Sequence, residues 1–503
     1  MKRRQFCRGA VAASALAAAP WVTGCSRKTE APASAPAPTA RTADSSIRAV
    51  SLDGQELELE KAAIRELGEA LQGEVVLAGH PQYDSLRTLW NGMHDKRPAL
   101  IARCESSADA ANAVNFARER DLLVAVRGGG HSWPGKSSCG DGLMIDLSAM
   151  NGVRVDSTTR RAYAGGGALL NALDTAALEA GLVTTAGVVS HTGVGGYTLG
   201  GGFGRLNRKH GLTIDNLRSA EIVTADGEVR RASANNEEDL FWALRGGGGN
   251  FGVVTEFEYQ LHPFDRNCLS GMIVWPVAQA REVLDFYADW HRDLSDDLYV
   301  GPAMMTMPDG QGIIAMEVVY AGDPVKGEKE LAPLRAIGKP MDDGIGLNDY
   351  MVMQTQEDAT LAHGIRSYAK SGMVGEITPA FVDAMLDAYQ ADPRQAFFTH
   401  TAGGAVARVD ENATAFPHRN AQTMLVFASF WADPEWDEEC IAGTRQWYSA
   451  LEPFTGGYYD NIDFADDGRA VGNYGPAYGR LAAIKAQYDP GNLFRLNSNV
   501  EPA

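Results

Sequence analysis

Apolar residues recur at helical spacing from Asp109 to Arg120 and from Leu169 to Ala180. Leu122–Val126, Arg161–Ala164, Ala220–Thr224 and Gly252–Tyr259 are short apolar or alternating runs. Repeats of 3.6 and of 2 predict helices and strands respectively, so the segment from about Ser46 to Pro263 reads as an α+β body. From Cys268 the pattern changes. Leu269–Val274, Leu298–Thr306, Gly312–Tyr320, Ala396–Val409 and Thr423–Phe430 predict longer strands, interleaved with helices near Ala280–Asp293, Pro379–Tyr389 and Asp437–Ala450. An antiparallel sheet backed by helices is the expected second body. Near Gly456 the chain turns to Tyr, Asp, Asn and Gly, and its tail is expected to rejoin the first body.

Glycine punctuates the first body at places where a ligand could approach the backbone. The strand Leu122–Val126 runs into Arg127, Gly128, Gly129, Gly130, His131, Ser132, Trp133, Pro134 and Gly135. Three residues without a Cβ bring peptide N–H groups close to a ligand while presenting one imidazole. Gly193–Gly204 (GVGGYTLGGGFG) is too glycine-dense for a plain helix or strand. Arg245–Gly252 (RGGGGNFG) precedes the strand Val253–Phe257, and Gly165–Gly167 follows Arg161–Ala164. Each alone reads as a tight turn, and a lone GxGxxG is weak evidence. A dinucleotide fingerprint also needs a strand, a helix and an acidic residue about 20 positions further on in one βαβ unit, and that arrangement is not seen. Taken together, the four segments read as walls of a groove for an extended dinucleotide.

The first 45 residues predict no fold. Lys2-Arg3-Arg4-Gln5-Phe6 precedes a weakly apolar run from Ala10 to Ala19, the charged and apolar regions of an export signal spanning residues 1–25. The paired arginines followed by Phe6 point to the twin-arginine route, which exports folded proteins; an ordinary secretory signal is the alternative. Val22-Thr23-Gly24-Cys25 resembles a bacterial lipobox, so Cys25 is the expected lipid anchor and the membrane is met only through it, facing the periplasm or cell exterior. Residues 26–45, rich in Ala, Pro, Ser and Thr, read as a flexible stalk. A length of 503 residues with 45% hydrophobic content allows two or three domains, and a net charge of -19 argues against nucleic acid. Of six cysteines, Cys104, Cys139, Cys268 and Cys440 belong to the body. They have no metal-ligand spacing, and two disulfides or isolated buried thiols both fit.

The segments Arg127–Ser132, Gly193–Gly204, Arg208–Asn216 (RKHGLTIDN), Asp239–Val254 (DLFWALRGGGGNFGVV) and Asp489–Phe494 (DPGNLF), in this order, resemble the FAD-linked oxidases with a vanillyl-alcohol-oxidase/p-cresol-methylhydroxylase-type FAD domain. Among these the chain is similar to the berberine-bridge-enzyme-like subgroup, over nearly all of its length after the stalk. The resemblance implies a two-part FAD-binding domain, residues 46–262 and 455–503, with a substrate-binding domain, 263–454, between them. It implies that His131 bonds covalently to the flavin 8-methyl group, and that Arg127, Gly128, Gly129, Gly130, Ser132, Val189, Gly193, Gly195, Gly196, Gly200, Gly201, Gly202, Gly252, Val254 and Asn499 contact the cofactor. Relatives often add a cysteinyl bond just before the GVGG glycines. Val189 stands at that place here, so His131 is the expected sole tether.

The same resemblance implies the chemistry. Gly457–Asn461 resembles the family's Tyr-x-Asn segment, in which Tyr459 removes a substrate proton and Asn461 supports it; Tyr458 is the base if the alignment shifts by one. A phenol with a reference pKa of about 10 needs tuning or a relay to act near neutrality. His400 and Arg408 are candidate tuning groups, and otherwise plain sheet residues. Trp275, Phe286, Tyr299 and Trp431 either line a substrate pocket or fill the core. The expected activity is oxidation of an alcohol, sugar or amine C–H by hydride transfer to FAD, with O2 as acceptor giving H2O2. Thr192 stands where relatives often carry Val, Ile or Leu associated with oxygen access, and Tyr197 replaces a common histidine. A dehydrogenase with another acceptor is therefore the alternative. A non-catalytic binding lipoprotein on the same scaffold is a further one, and it needs none of His131, Tyr459 and Asn461.

Overall fold

The computed structural model describes residues 46–464 and 469–503. The export signal, Cys25 and the stalk lie outside the described residues. Three sheets carry the architecture, and the mixed α+β class follows from them.

The first is a four-stranded sheet in the order Glu74–Leu77, Leu100–Arg103, Leu143–Asp146, Val124–Arg127. Its last three strands run parallel. The strand before the histidine therefore starts two residues later than periodicity predicts, because Leu122 makes only an isolated bridge to Ser51. The helix Ser107–Glu119 packs on this sheet through Ala110, Ala113, Val114 and Ala117. Ser106 caps it by accepting the Asp109 N–H at 3.2 Å.

The second sheet is antiparallel, in the order Val229–Ser233, Leu217–Val223, Val253–Gln260, Arg161–Gly165, Val153–Asp156. The helices Leu170–Glu179 and Glu238–Leu244 share its core, and so does the C-terminal helix Tyr478–Tyr488. The tail returns to this body. Lys485, fully buried, donates to the carbonyls of Asn250 (2.6 Å) and Phe494 (2.9 Å) and pairs with Asp489 at 2.6 Å.

The third sheet is antiparallel and is built around Asn267–Pro276, Gly312–Tyr320, Leu298–Thr306, Gln395–Thr401, Thr423–Trp431 and Arg366–Val374 in that spatial order. Side chains alternate between its faces. Phe397, Leu425 and Phe427 meet the helices Ala280–Trp290, Pro379–Ala388 and Asp437–Leu451, whereas Phe398, Met424 and Val426 face the opposite way. Trp275 belongs to the helix-side core, Phe286 packs against it, and Tyr299 and Trp431 are buried in smaller clusters. The predicted strand Ala396–Val409 ends at Thr401. Gly403 and Gly404, both at positive φ, break it, and Gly404–Ala407 forms a short helix instead. The four body cysteines are free, buried thiols. Among the described residues, no helix is long and apolar enough to cross a membrane.

Candidate active site

A cleft of about 310 Å³, partly open to solvent, runs between the glycine-rich segments, the large sheet and the tail. Its volume is in the range of an ordinary small-molecule pocket.

One wall is made of glycines pressed against one another. A Cβ on Gly129 would overlap the backbone of Gly193, and one on Gly193 would overlap Gly129. Gly193 begins the short helix Val194–Leu199, so the segment read as too glycine-dense for a helix does contain one. Backbone contact outweighs the low helix propensity of glycine there. Gly195 and Gly196 lie in its first turn, where N–H groups have no intrahelical acceptor. Gly128, Gly129, Gly130, Ser132, Val189, Gly193, Gly195, Gly196, Gly200, Gly252 and Val254 all line the cleft. Arg127 does not; its guanidinium pairs with buried Asp146 at 3.0 Å. Asn499 lies just past the lining residues Leu496, Asn497 and Ser498, with its Oδ1 buried and unpartnered.

His131 lines the same wall. Its ring stacks on Trp90, centroids 4.3 Å apart and planes 12° from parallel, and Nε2 is buried without a partner. Burial, and then the neighbouring His191, push its pKa down to about 3. The ring is therefore neutral over the whole physiological range.

Tyr459 and Asn461 face His131's wall from the tail. The Tyr459 hydroxyl oxygen accepts two hydrogen bonds, from the Gly202 N–H at 3.0 Å and from Asn461 Nδ2 at 2.8 Å. Asn461 Nδ2 also donates to the Tyr197 carbonyl at 3.0 Å, and it fits only because Gly200, beneath it, has no side chain. Burial pushes the Tyr459 phenol up to about 12, and the Gly202 N–H, the Asn461 amide and the Phe203 N–H oppose that shift. Gly201 and Gly202 thus act beneath Tyr459 instead of lining the cleft. Ser371 Oγ accepts the Tyr459 N–H at 2.9 Å, and the Asp463 carboxylate, held by Lys370 at 3.0 Å, accepts the Ser371 N–H.

Neither sequence-derived tuning candidate touches the phenol. Arg408 is largely exposed and pairs with Asp296 at the surface. His400 lines the cleft but bonds to Tyr299, and the Phe203 ring neighbours both His400 and Tyr459. Tyr458 is not among the cleft-lining residues, and its hydroxyl is buried without a partner.

Two participants escaped the sequence reading. Trp90 belongs to no glycine segment and meets His131 only through the fold. Asp460 sits between the two singled-out residues and also lines the cleft. It accepts from Ser498 Oγ at 2.9 Å and Asn473 Nδ2 at 3.2 Å, and burial pushes its carboxyl up to about 6.

Residues 98–233 match the family model described as "FAD binding domain", and residues 459–501 match "Berberine and berberine like". A FAD-linked oxidoreductase of Dictyostelium discoideum is 31% identical over 446 residues, which cover 87% of this chain and 97% of that one. The chain belongs to the berberine-bridge-enzyme-like family of FAD-linked oxidoreductases. The (R)-6-hydroxynicotine oxidase of Paenarthrobacter nicotinovorans is 31% identical over 453 residues, covering 86% of this chain and 97% of the relative. The crystal structure of 6-hydroxy-D-nicotine oxidase from Arthrobacter nicotinovorans superposes with a TM-score of 0.80 at 30% identity, covering 86% and 98% of the two chains. This family member is an FAD-dependent enzyme, and its own residues fit the cofactor: the cleft presents a glycine cradle that a Cβ would fill and an imidazole with an unpartnered buried nitrogen.

Proposed function

We propose that the protein oxidises a C–H next to oxygen or nitrogen in a small alcohol, sugar or amine and passes the electrons to O2, giving H2O2. The observation that carries this reading is the Tyr459 hydroxyl, flanked by two N–H donors, on a cleft whose glycine wall holds a neutral imidazole. FAD, when bound, supplies the two-electron acceptor for the hydride. His131 would hold it through one covalent bond, since neutral imidazole is the nucleophilic form, and Val189 on the same wall offers no second thiol. Gly128–Gly130, Gly193–Gly196 and Gly252 let backbone come close to it. The Gly202 N–H and the Asn461 amide stabilise the phenolate form of Tyr459, and the phenolate oxygen receives the O–H or N–H proton of the substrate, which leaves a neutral phenol.

Similarity to an enzyme named for 6-hydroxynicotine supports a small-molecule substrate. Thr192 on the cleft wall favours a second reading, a dehydrogenase with another acceptor. Comparing reoxidation by air with reoxidation by a quinone separates the two. We also propose that the enzyme is exported by the twin-arginine route and tethered to a membrane through Cys25. A covalent cofactor suits that setting, because FAD lost outside the cytoplasm is not readily replaced.

Acid precipitation of the purified holoprotein tests the tether. The expected pellet is yellow and flavin-fluorescent, and the colour is lost in His131→Ala. Flavin wholly in the wild-type supernatant overturns the covalent bond.

A further inference from the structure

The large sheet places three strand side chains on the cleft, Phe398, His400 and Met424. Phe398 and His400 are two apart on one strand and so share a face, and His400 lies opposite Met424 in the register. The Phe203 ring is 5.2 Å from the Tyr459 ring and 6.3 Å from that of His400. The two polar groups therefore open onto one chamber, whose remaining walls include Leu361 and Ile462.

The bonding of His400 determines what it offers there. The Tyr299 hydroxyl lies 3.2 Å from the Thr399 carbonyl and 3.2 Å from His400 Nδ1. A carbonyl can only accept, so one hydroxyl hydrogen satisfies both contacts if it goes to Thr399 and Nδ1 carries the imidazole hydrogen. Nε2 is then a lone-pair acceptor. The Nδ1 contact is the ring's one hydrogen bond among the described residues, so Nε2 has no protein partner. Burial, with the positive charge of Arg205 adding to it, pushes the imidazole down to about 3 and keeps it neutral.

We propose that His400 recognises the end of the substrate remote from the oxidised carbon, its Nε2 accepting a hydrogen bond from an O–H or N–H group on an otherwise apolar molecule. The substrate class is thereby narrowed to compact, apolar-bodied alcohols or amines with one further donor. A molecule with hydroxyls on every side would leave most of them unpaired against Phe203, Phe398, Met424, Leu361 and Ile462. This inference rests on Tyr459 being the substrate-facing base.

The test uses the holoenzyme with 3- and 4-hydroxybenzylamine, the matching methylbenzylamines, and the corresponding benzyl alcohols. Each hydroxyl–methyl pair differs little in shape, so their ratio reads the hydrogen bond. Binding is read by the flavin visible spectrum in Tyr459→Phe, where turnover does not interfere. At least one hydroxyl probe is expected to bind about tenfold tighter than its methyl partner, the scale of one hydrogen bond to a buried acceptor. Adding His400→Phe should bring the pair to near equality, and His400→Gln, which keeps an acceptor, should restore part of the preference. Flavin content and melting temperature show whether each variant is folded. A preference that survives His400→Phe overturns the proposal, and so does binding of no hydroxyl probe or no preference without the His400 change. Failure of the enzymatic reading looks different: no probe reduces the flavin of the wild-type enzyme, while His400-dependent binding remains.

Discussion

Among the described residues the Tyr459 hydroxyl meets N–H donors and no cation, and this sets a pH signature. Its phenol is raised to about 12 by burial, so the ionised form grows roughly tenfold per pH unit below that value. Anaerobic flavin reduction by substrate is therefore expected to rise from pH 6 to pH 10 without a plateau; a plateau near pH 7 would assign the proton to another group. Tyr459→Phe should retain FAD and lose that reduction. Asp460 makes a second prediction at this scale. Its carboxyl moves from 3.8 unfolded to about 6 folded, so the folded state binds the proton more tightly. Stability is then lost as pH rises through this window. Asp460→Asn should raise the melting temperature of the apoprotein at pH 8, and the gain should shrink at pH 5.

Elements meet where glycine permits it and where buried charge is matched. Gly129→Ala inserts a Cβ into the backbone of Gly193, a contact that cannot yield as a flexible side chain would. A cost of about 1–3 kcal/mol and loss of acid-stable flavin are expected, whereas Gly152→Ala, with open space around it, should change neither. The DPGNLF segment has a similar physical reason. Asp489 accepts the N–H groups of Leu493 and Phe494 and pairs with fully buried Lys485. Asp489→Ala strands an ammonium in the core and should destabilise by about 3–5 kcal/mol, seen as a lowered denaturation midpoint.

At the scale of the whole molecule, the tail belongs to two partners at once. Residues 478–500 pack on the glycine-bearing body, while Ser371 and Lys370 of the large sheet hold Tyr459 and Asp463. Tyr459 thus sits where the glycine-bearing body, the large sheet and the tail meet. The chain ahead of residue 46 carries the remaining prediction. Cys25→Ala should move the enzyme from the membrane fraction to the soluble exported fraction, and replacing Arg3 and Arg4 by lysine should keep it in the cytoplasm, both read by fractionation and immunoblot.

What sequence alone determined is what local physics encodes. Repeats of 2 and 3.6 located the helices Leu170–Glu179 and Asp437–Leu451 and the strands Leu298–Thr306 and Gly312–Tyr320, because alternation and helical pitch are properties of neighbouring residues. Runs of glycine marked the wall of the cleft and the one histidine among them, because only glycine permits such backbone approach. The Gly403–Gly404 pair is a local signal of the same kind for the end of the strand at Thr401. Tertiary structure alone decided the rest. That Gly129 meets Gly193, that Trp90 stacks on His131, that Gly202 tunes Tyr459 while Arg408 turns to the surface, and that His400 looks into the chamber are contacts between segments far apart in the chain. No spacing encodes them, since each depends on how whole elements pack.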